Sequence, residues 1–345
     1  MRICPCDLVT LCPCDFFVHE AIIQKNDMKI IYGLEKFNTA DFNAPIIIAI
    51  GTFDGVHLAH QAIIKKAVAT AKRLNGISLI LTFYPHPRQI TDPDKSPALL
   101  TSIEHRMNLI AKLRPDICLV AAFKKRFARM SAEKFIREIL LKKLNVNTVV
   151  IGDNFAFGKQ KSGDIDFLKA YAKKSGFKVS IISALKKSKK TISSSLIRNL
   201  IESGKLDQAA GLLGRRFSVL GAVVKGDSRG RVLGYPTANI DPHQEALPPN
   251  GVYAVKARIN NQWYGGMLNI GKRPTFYEKA DKLAIEANLF NFNKYIYGQV
   301  IELVFIKKIR NEKKFNSAVL LIKQLQADRT KTMIILKKEW ERLDY

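Results

Sequence analysis

Five consecutive apolar residues, Ile46-Ile47-Ile48-Ala49-Ile50, run straight into Gly51-Thr52-Phe53-Asp54-Gly55-Val56-His57-Leu58-Ala59-His60, and Gln61–Val68 reads on as a helix. A strand with no polar face belongs in the middle of a sheet covered on both sides, which is the setting of parallel strand–helix repeats. The connection is a tight Gly-rich turn that ends at a helix start. Backbone N–H groups there have no intrahelical partner, so the place favours an anion such as a phosphate. His57 and His60, three residues apart, fall on one face of that first turn.

The alternation continues. His57–Leu74 is expected as a helix with Gly76 just past its end, and Ile77–Phe83 as the next strand. Thr101-Ser102-Ile103-Glu104 has capping-box spacing and opens a helix to about Leu113. Ile117–Val120 is a short buried strand; Ser131–Leu144 carries Phe135, Ile136, Ile139, Leu140 and Leu144 on one helical face; Thr148–Gly152 and Lys178–Ile182 complete the set. Residues 28 to about 205 are therefore read as a parallel, doubly wound α/β domain. Ligands in such sheets sit beyond the carboxyl ends of the strands. Three polar loops share that rim: Gly51–His60, Tyr84-Pro85-His86-Pro87-Arg88, and Gly152-Asp153-Asn154-Phe155-Ala156-Phe157-Gly158.

Neither a G-x4-G-K-[ST] loop nor a G-x-G-x-x-G turn after the first strand is present. A histidine pair at a helix N-terminus suits a triphosphate, because imidazoles can donate hydrogen bonds to an α-phosphate as charge builds on it during in-line displacement. Thr191-Ile192-Ser193-Ser194-Ser195-Leu196-Ile197-Arg198 adds hydroxyls at a helix N-cap and a guanidinium one turn in, a set that can hold a leaving diphosphate or serve simply as a serine cap with a surface arginine.

The chain has 345 residues, and two domains are the default for that length. Its 56 basic against 30 acidic residues give a net charge of +26, which points to polyanionic partners. The cations are scattered, the densest run being Lys186-Lys187-Ser188-Lys189-Lys190, so phosphorylated small molecules are favoured over nucleic acid. No RNA-recognition aromatic signature or zinc-finger spacing is present, and no apolar run approaches the ~18 residues of a membrane span.

Four of five cysteines lie in Cys4-Pro5-Cys6-Asp7 and Cys12-Pro13-Cys14-Asp15, leaving Cys118 for the body of the chain. No disulfide framework is available to the fold, and a reducing cytoplasm is expected. Four thiolates could hold zinc, but single prolines replace the C-x2-C knuckle. Asp7 and Asp15 interrupt any apolar core of a secretory signal. Residues 1–27 are read as a disordered extension or one created by a misassigned start, with the fold beginning at Met28.

The texture changes after Gly211 and Gly214. Phe217–Val224, Gly251–Ile259, Tyr264–Ile270, Ala284–Phe290 and Val300–Ile306 are short apolar runs between Gly, Pro and Asn turns, as in an antiparallel barrel. Ser317–Leu343 returns to helix, with Asn316 as its cap. Between the first two strands, Lys225–Asn239 (KGDSRGRVLGYPTAN) holds Gly226, Gly230, Gly234, Arg229 and Arg231, which can wrap phosphates. Thr237 and Asn239 alternate, so both point to one side of an extended segment and offer the hard oxygens Mg²⁺ prefers. Glu286, among apolar neighbours on a later strand, is either an ion-pair partner or a general base for a hydroxyl nucleophile.

Gly51–His60 resembles the H-x-G-H signature of the nucleotidylyltransferase superfamily, and Gly234-Tyr235-Pro236-Thr237-Ala238-Asn239 resembles the G-[FY]-P-T-A-N signature of riboflavin kinases. With Pro85-His86-Pro87, Gly152–Gly158, Ser193–Arg198, Leu213–Phe217, Pro249–Tyr253, Asn269–Thr275, Tyr297-Gly298 and Ile309-Arg310 in order, residues from about Met28 onward are similar to the bacterial bifunctional riboflavin kinase/FMN adenylyltransferase family. Ala59 stands where that pattern usually has Gly, Ser195 where it has Thr, and Asn291 where an Asp often precedes Phe292.

The resemblance implies an adenylyltransferase domain over 28–205, a linker over 206–216 and a kinase domain over 217–345. It implies ATP phosphates on His57 and His60, with Gly51, Phe53, Asp54 and Gly55 beside them and Ser194 and Arg198 at the triphosphate end. His86, Pro87, Asn154 and Phe155 would border FMN. In the kinase half it implies ATP on Gly226, Gly230, Arg231, Gly234, Thr237 and Asn239, Mg²⁺ on Thr237 and Asn239, and Glu286 as the base for the ribityl 5′-hydroxyl. Its substrates and products are riboflavin, FMN, FAD and ATP, with no nucleic-acid or membrane partner.

Overall fold

The structure, a computed structural model, describes residues 22–25, 27–187, 189–226, 234–242, 246–273 and 282–341. The Cys-Pro-Cys-Asp repeats, Gly230, Arg229, Arg231 and Pro274-Thr275 lie outside the described residues. The chain forms two compact units. The first holds residues through Phe53, His60–Ser96 and Met107–Ala184; the second holds Asp54–Ala59, Pro97–Arg106 and the chain from Leu185 on.

The first unit is built on a seven-stranded sheet: β1 (Ile22–Lys25), β2 (Met28–Tyr32), β3 (Ile46–Ile50), β4 (Ile77–Tyr84), β5 (Ile117–Ala122), β6 (Val146–Gly152) and β7 (Lys178–Ile182), in the order β1-β2-β5-β4-β3-β6-β7. Every residue of β3 is buried, as its uninterrupted apolar run requires. Six strands are parallel; β1 pairs antiparallel with β2, Ile22 opposite Ile31. The fold thus begins before Met28, because the Ile22-Ile23 segment supplies an edge strand that a reading based on the cysteine repeats passes over. β4 and β5 lie on one side of β3 and β6 and β7 on the other, so the strand order reverses at the carboxyl end of β3. In a doubly wound sheet that reversal opens a crevice.

Helix α1 (Leu58–Arg73) follows β3. His57 therefore precedes the first helical residue rather than belonging to the first turn. Helices α2 (Pro87–Thr91), α3 (Ile103–Ala111), α4 (Lys125–Ala128), α5 (Ala132–Lys134) and α6 (Ile165–Ser175) follow in turn. The helix expected over Ser131–Leu144 is α-helical only in α5 and continues as a π-helix over Phe135–Lys143, which buries Phe135, Ile136 and Leu140. Ser102, not Thr101, caps α3, its Oγ accepting from the His105 N–H at 3.3 Å, because the Thr101 side chain is engaged elsewhere.

In the second unit the short hairpin β8 (Lys186–Lys187) and β9 (Lys190–Thr191) leads to α7 (Ser194–Glu202) and α8 (Leu206–Leu213). A closed antiparallel barrel follows: β10 (Ser218–Val224), β11 (Ala238–Asp241), β12 (Gly251–Ile259), β13 (Gln262–Arg273), β14 (Lys282–Leu289) and β15 (Val300–Arg310), in the order β10-β11-β14-β13-β12-β15. Strand β11 is the one the apolar runs do not announce; it has four residues and two polar side chains.

The barrel interior, with Tyr253, Val255, Leu268, Ile285 and Phe305, is continuous with Ile197 and Ile201 of α7 and with Leu206, Ala209 and Leu212 of α8. Helix α9 (Ala318–Glu341) covers Val252, Ala254, Met267 and Ile306 on the outer face through Leu336. Its cap is Ser317, whose Oγ accepts from Leu320 N, one residue after the expected Asn316. Buried Lys256 places its ammonium over both Trp263 and Trp340, 5.6 and 4.7 Å from the ring centroids. No helix among the described residues is long and apolar enough to cross a membrane.

Candidate functional site

The loop after β3 has an unusual backbone. Phe53 (φ 49°), Gly55 (φ 81°) and Val56 (φ 41°) all lie in the left-handed region. A β-branched residue there is a genuine outlier, and such conformations persist only where the surroundings over-determine them. At Gly55 a Cβ would lie 2.7 Å from a Leu100 methyl group, so on top of the strain of its positive φ any other residue would force Leu100 to shift.

In the second unit Asp54 determines the surroundings. Its carboxylate is 1% exposed. It accepts from Leu100 N at 3.0 Å, from Thr101 N at 3.1 Å, from the Thr101 hydroxyl at 3.3 Å and from Arg198 Nη2 at 3.1 Å, with Arg106 Nη2 at 3.9 Å. Thr101 Oγ1 in turn accepts from Gly55 N at 3.1 Å. Ser194 donates its hydroxyl to the Asp54 carbonyl at 2.9 Å, and Arg198 Nε donates to Ala98 O at 2.7 Å. Three expected residues, Asp54, Ser194 and Arg198, are thus brought together. Thr101, read in sequence only as part of a capping box, and Arg106, not singled out there, complete the cluster.

His57 is also buried in this unit, and its pKa is lowered from 6.5 to about 4. Desolvation is the main cause and the Arg215 guanidinium adds to it, against the opposing pull of Asp54. At neutral pH the imidazole is uncharged and carries one N–H donor.

In the first unit His60 lies edge-on to Phe53, ring centroids 5.4 Å apart. Gly51 N donates to Leu81 O, continuing the sheet at the strand-order reversal. At the end of β6, Asn154 is exposed and Phe155 stacks on Phe157 at 5.4 Å. His86 caps α2: its Nδ1 accepts from Arg88 N at 3.2 Å while Gln89 Oε1 accepts from His86 N, which places Pro87 in the first turn.

In the barrel, strand register assembles a polar row. Asn239 of β11 lies directly opposite Glu286 of β14, and Glu286 directly opposite Asn269 of β13. Opposed residues share a face with Cβ atoms about 5 Å apart. Ile285 and Ala287, the neighbours of Glu286, point into the barrel core, so Asn239, Glu286 and Asn269 face outward together. Asn288, buried two residues beyond Glu286, donates to Pro236 O at 2.7 Å and so ties the Pro236-Thr237 segment to β14. A Cβ at Gly226 would fall 1.9 Å from the Asn239 amide, so the glycine allows the backbone of its loop to lie against Asn239. Gly234 has φ 79°. Asn269, quoted in sequence only within a family-order stretch, gains Glu286 as its neighbour through strand register, and Asn288, not singled out there, gains Pro236 through folding. Among the described residues no three His, Cys, Asp or Glu side chains group into a metal site.

Residues 39–196 match the family model for FAD synthetase, and residues 213–336 the model for riboflavin kinase. The bifunctional riboflavin kinase/FMN adenylyltransferase of Buchnera aphidicola subsp. Schizaphis graminum is 40% identical over 303 residues, covering 87% of this chain and 96% of the relative. The protein of that name from Bacillus subtilis is 39% identical over 294 residues, covering 83% and 91%. A crystal structure described as a macrolide-efflux protein from Streptococcus pneumoniae superposes with a TM-score of 0.77 at 29% identity, covering 89% of this chain and 98% of that one. With both family models on one chain and near-complete coverage of relatives at this identity, the chain belongs to the bifunctional riboflavin kinase/FMN adenylyltransferase family.

Proposed function

We propose that the two activities divide along the chain as the two family models do, with adenylyl transfer carried by residues 28–205, the kinase by residues 217–345, and residues 206–216 as the join. The chain is a transferase of flavin cofactor biosynthesis. It phosphorylates riboflavin to FMN with ATP, then transfers AMP from a second ATP to FMN, giving FAD and pyrophosphate.

In the kinase step Glu286 takes the proton of the ribityl 5′-hydroxyl. That oxygen attacks the γ-phosphorus, and the bond to the departing ADP breaks. Gly226, Gly230, Arg231, Gly234, Thr237 and Asn239 bind the nucleotide. The hydroxyl, amide and carboxylate oxygens of Thr237, Asn239 and Glu286 are a hard donor set that fits Mg²⁺, with Thr237 and Asn239 as its holders. Bound there, the ion supplies neutralisation of phosphate charge.

In the second step an oxygen of the FMN phosphate attacks the α-phosphorus of ATP and pyrophosphate leaves. His57, His60, Ser194 and Arg198 bind the triphosphate along with the Gly51–Gly55 loop, while His86, Pro87, Asn154 and Phe155 border the flavin. The neutral His57 has one ring N–H with which to donate a hydrogen bond to the α-phosphate. Neither step needs a covalent enzyme intermediate; positioning and charge neutralisation supply the catalysis. The one body cysteine, buried Cys118, suits a reducing cytoplasm.

The observation that supports this reading most is the outward row of Asn239 and Glu286, since it sets a carboxylate beside an amide oxygen next to the Gly-rich loop. Purified protein with riboflavin, ATP and Mg²⁺ is expected to form FMN and then FAD, followed by chromatography; formation of neither product sinks the reading. Glu286→Ala is expected to lower FMN formation by about 10²–10⁴-fold while still converting supplied FMN to FAD. His57→Ala with His60→Ala is expected to stop the sequence at FMN.

A further inference from the structure

Asp54 is a carboxylate within the motif assigned above to ATP, and a carboxylate offers a phosphate only repulsion. The fold resolves that conflict by burial. Both oxygens are consumed by two backbone N–H groups, the Thr101 hydroxyl and the Arg198 guanidinium. With Arg106 at 3.9 Å, two guanidinium groups face one carboxylate, so the cluster keeps a net positive charge.

Arg198 is held on two edges: Nη2 on Asp54 at 3.1 Å and Nε on Ala98 O at 2.7 Å. Two fixed edges set the plane of the guanidinium. The Nη1 edge then keeps both its N–H donors, which no partner among the described residues takes. The Asp54 carbonyl also accepts the Ser194 hydroxyl at 2.9 Å, which ties the start of α7 to the same loop.

We propose that Asp54 is a positioning residue of adenylyl transfer: its carboxylate touches no phosphate and instead orients the Arg198 fork toward the triphosphate. The Ala98–Thr101 segment is the second half of the same clamp. This rests on the reading that Arg198 binds the triphosphate.

The test is FAD formation from supplied FMN with ATP varied, in Asp54→Asn, Arg198→Gln and the double variant, with riboflavin phosphorylation measured on the same preparations. Asp54→Asn and Arg198→Gln are each expected to raise KM for ATP by roughly tenfold or more, and the double variant to be no worse than the poorer single one, since residues acting as one unit are non-additive. Kinase turnover is expected to stay within about twofold of the parent, a result a general loss of folding would not give. A normal KM in Asp54→Asn beside an impaired Arg198→Gln overturns the positioning role, as do fully additive effects. A normal KM in Arg198→Gln overturns the assignment of Arg198 itself, and the proposal with it.

If Asp54→Asn does not fold, Arg198→Lys decides. Lysine keeps the charge but has no fork to span Ala98 O and Asp54 while presenting a third edge. A roughly tenfold higher KM is expected, and a parental KM overturns the proposal.

Discussion

His57 is buried and uncharged, and its pKa of about 4 against 6.5 in the unfolded chain carries a thermodynamic consequence. Between these two values the unfolded state binds more protons than the folded one. Stability therefore falls as pH drops from 6.5 to 4, by up to about 3 kcal/mol from this residue, and is independent of it above that window. Urea unfolding over a series of pH values is expected to show this loss, and His57→Gln to flatten it. At the same scale, Ala59 is half-buried and packs with the core of the second unit as part of α1. Its methyl group sits comfortably in a helix, where glycine would be less favourable by up to about 1 kcal/mol.

Helix α9 is fastened to the barrel by a buried ion pair: Arg310 Nε to Asp328 Oδ2 at 2.8 Å, with Gln324 donating to Asp328 Oδ1 at 2.9 Å. Asp328 is 2% exposed. Asp328→Ala leaves the guanidinium without its partner and is expected to cost about 3 kcal/mol, read as a lower melting temperature of the second unit.

Elements of this kind were legible in sequence where a pattern stays local. β3 and β12 are read to the residue because apolar runs and flanking turns bound them. β11 was not, because four residues with two polar side chains form a strand only when β10 and β14 pair with them on both sides. The π-helix after α5 has the same apolar face as an α-helix, so periodicity could not tell them apart. In the candidate sites the motif residues were legible, but the places of Thr101, Arg106, Asn269 and Asn288 in them were not. Their neighbours lie far along the chain, and only folding or strand register brings them close.

For the whole molecule the net charge of +26 over 345 residues acts on anionic substrates before any contact forms. Raising ionic strength from about 0.05 M to about 0.5 M shortens the Debye length severalfold, and KM for ATP is expected to rise in both steps with smaller changes in kcat. Retention on polyanionic resin at low salt is expected as well, released as salt rises and without preference for sequence when the polyanion is a nucleic acid.

The chain has two tryptophans, and both flank the Lys256 ammonium in the second unit, one on β13 and one on α9. Intrinsic tryptophan emission is therefore a private signal of the barrel and its helix. Red-shifted emission on heating or in urea marks the parting of α9 from β12 and β13, whereas the sheet of the first unit melts unseen at that wavelength and is followed by circular dichroism. A flavin that absorbs tryptophan emission will quench this pair by energy transfer according to its distance from the barrel. One fluorescence titration can therefore report flavin bound within energy-transfer range of the barrel.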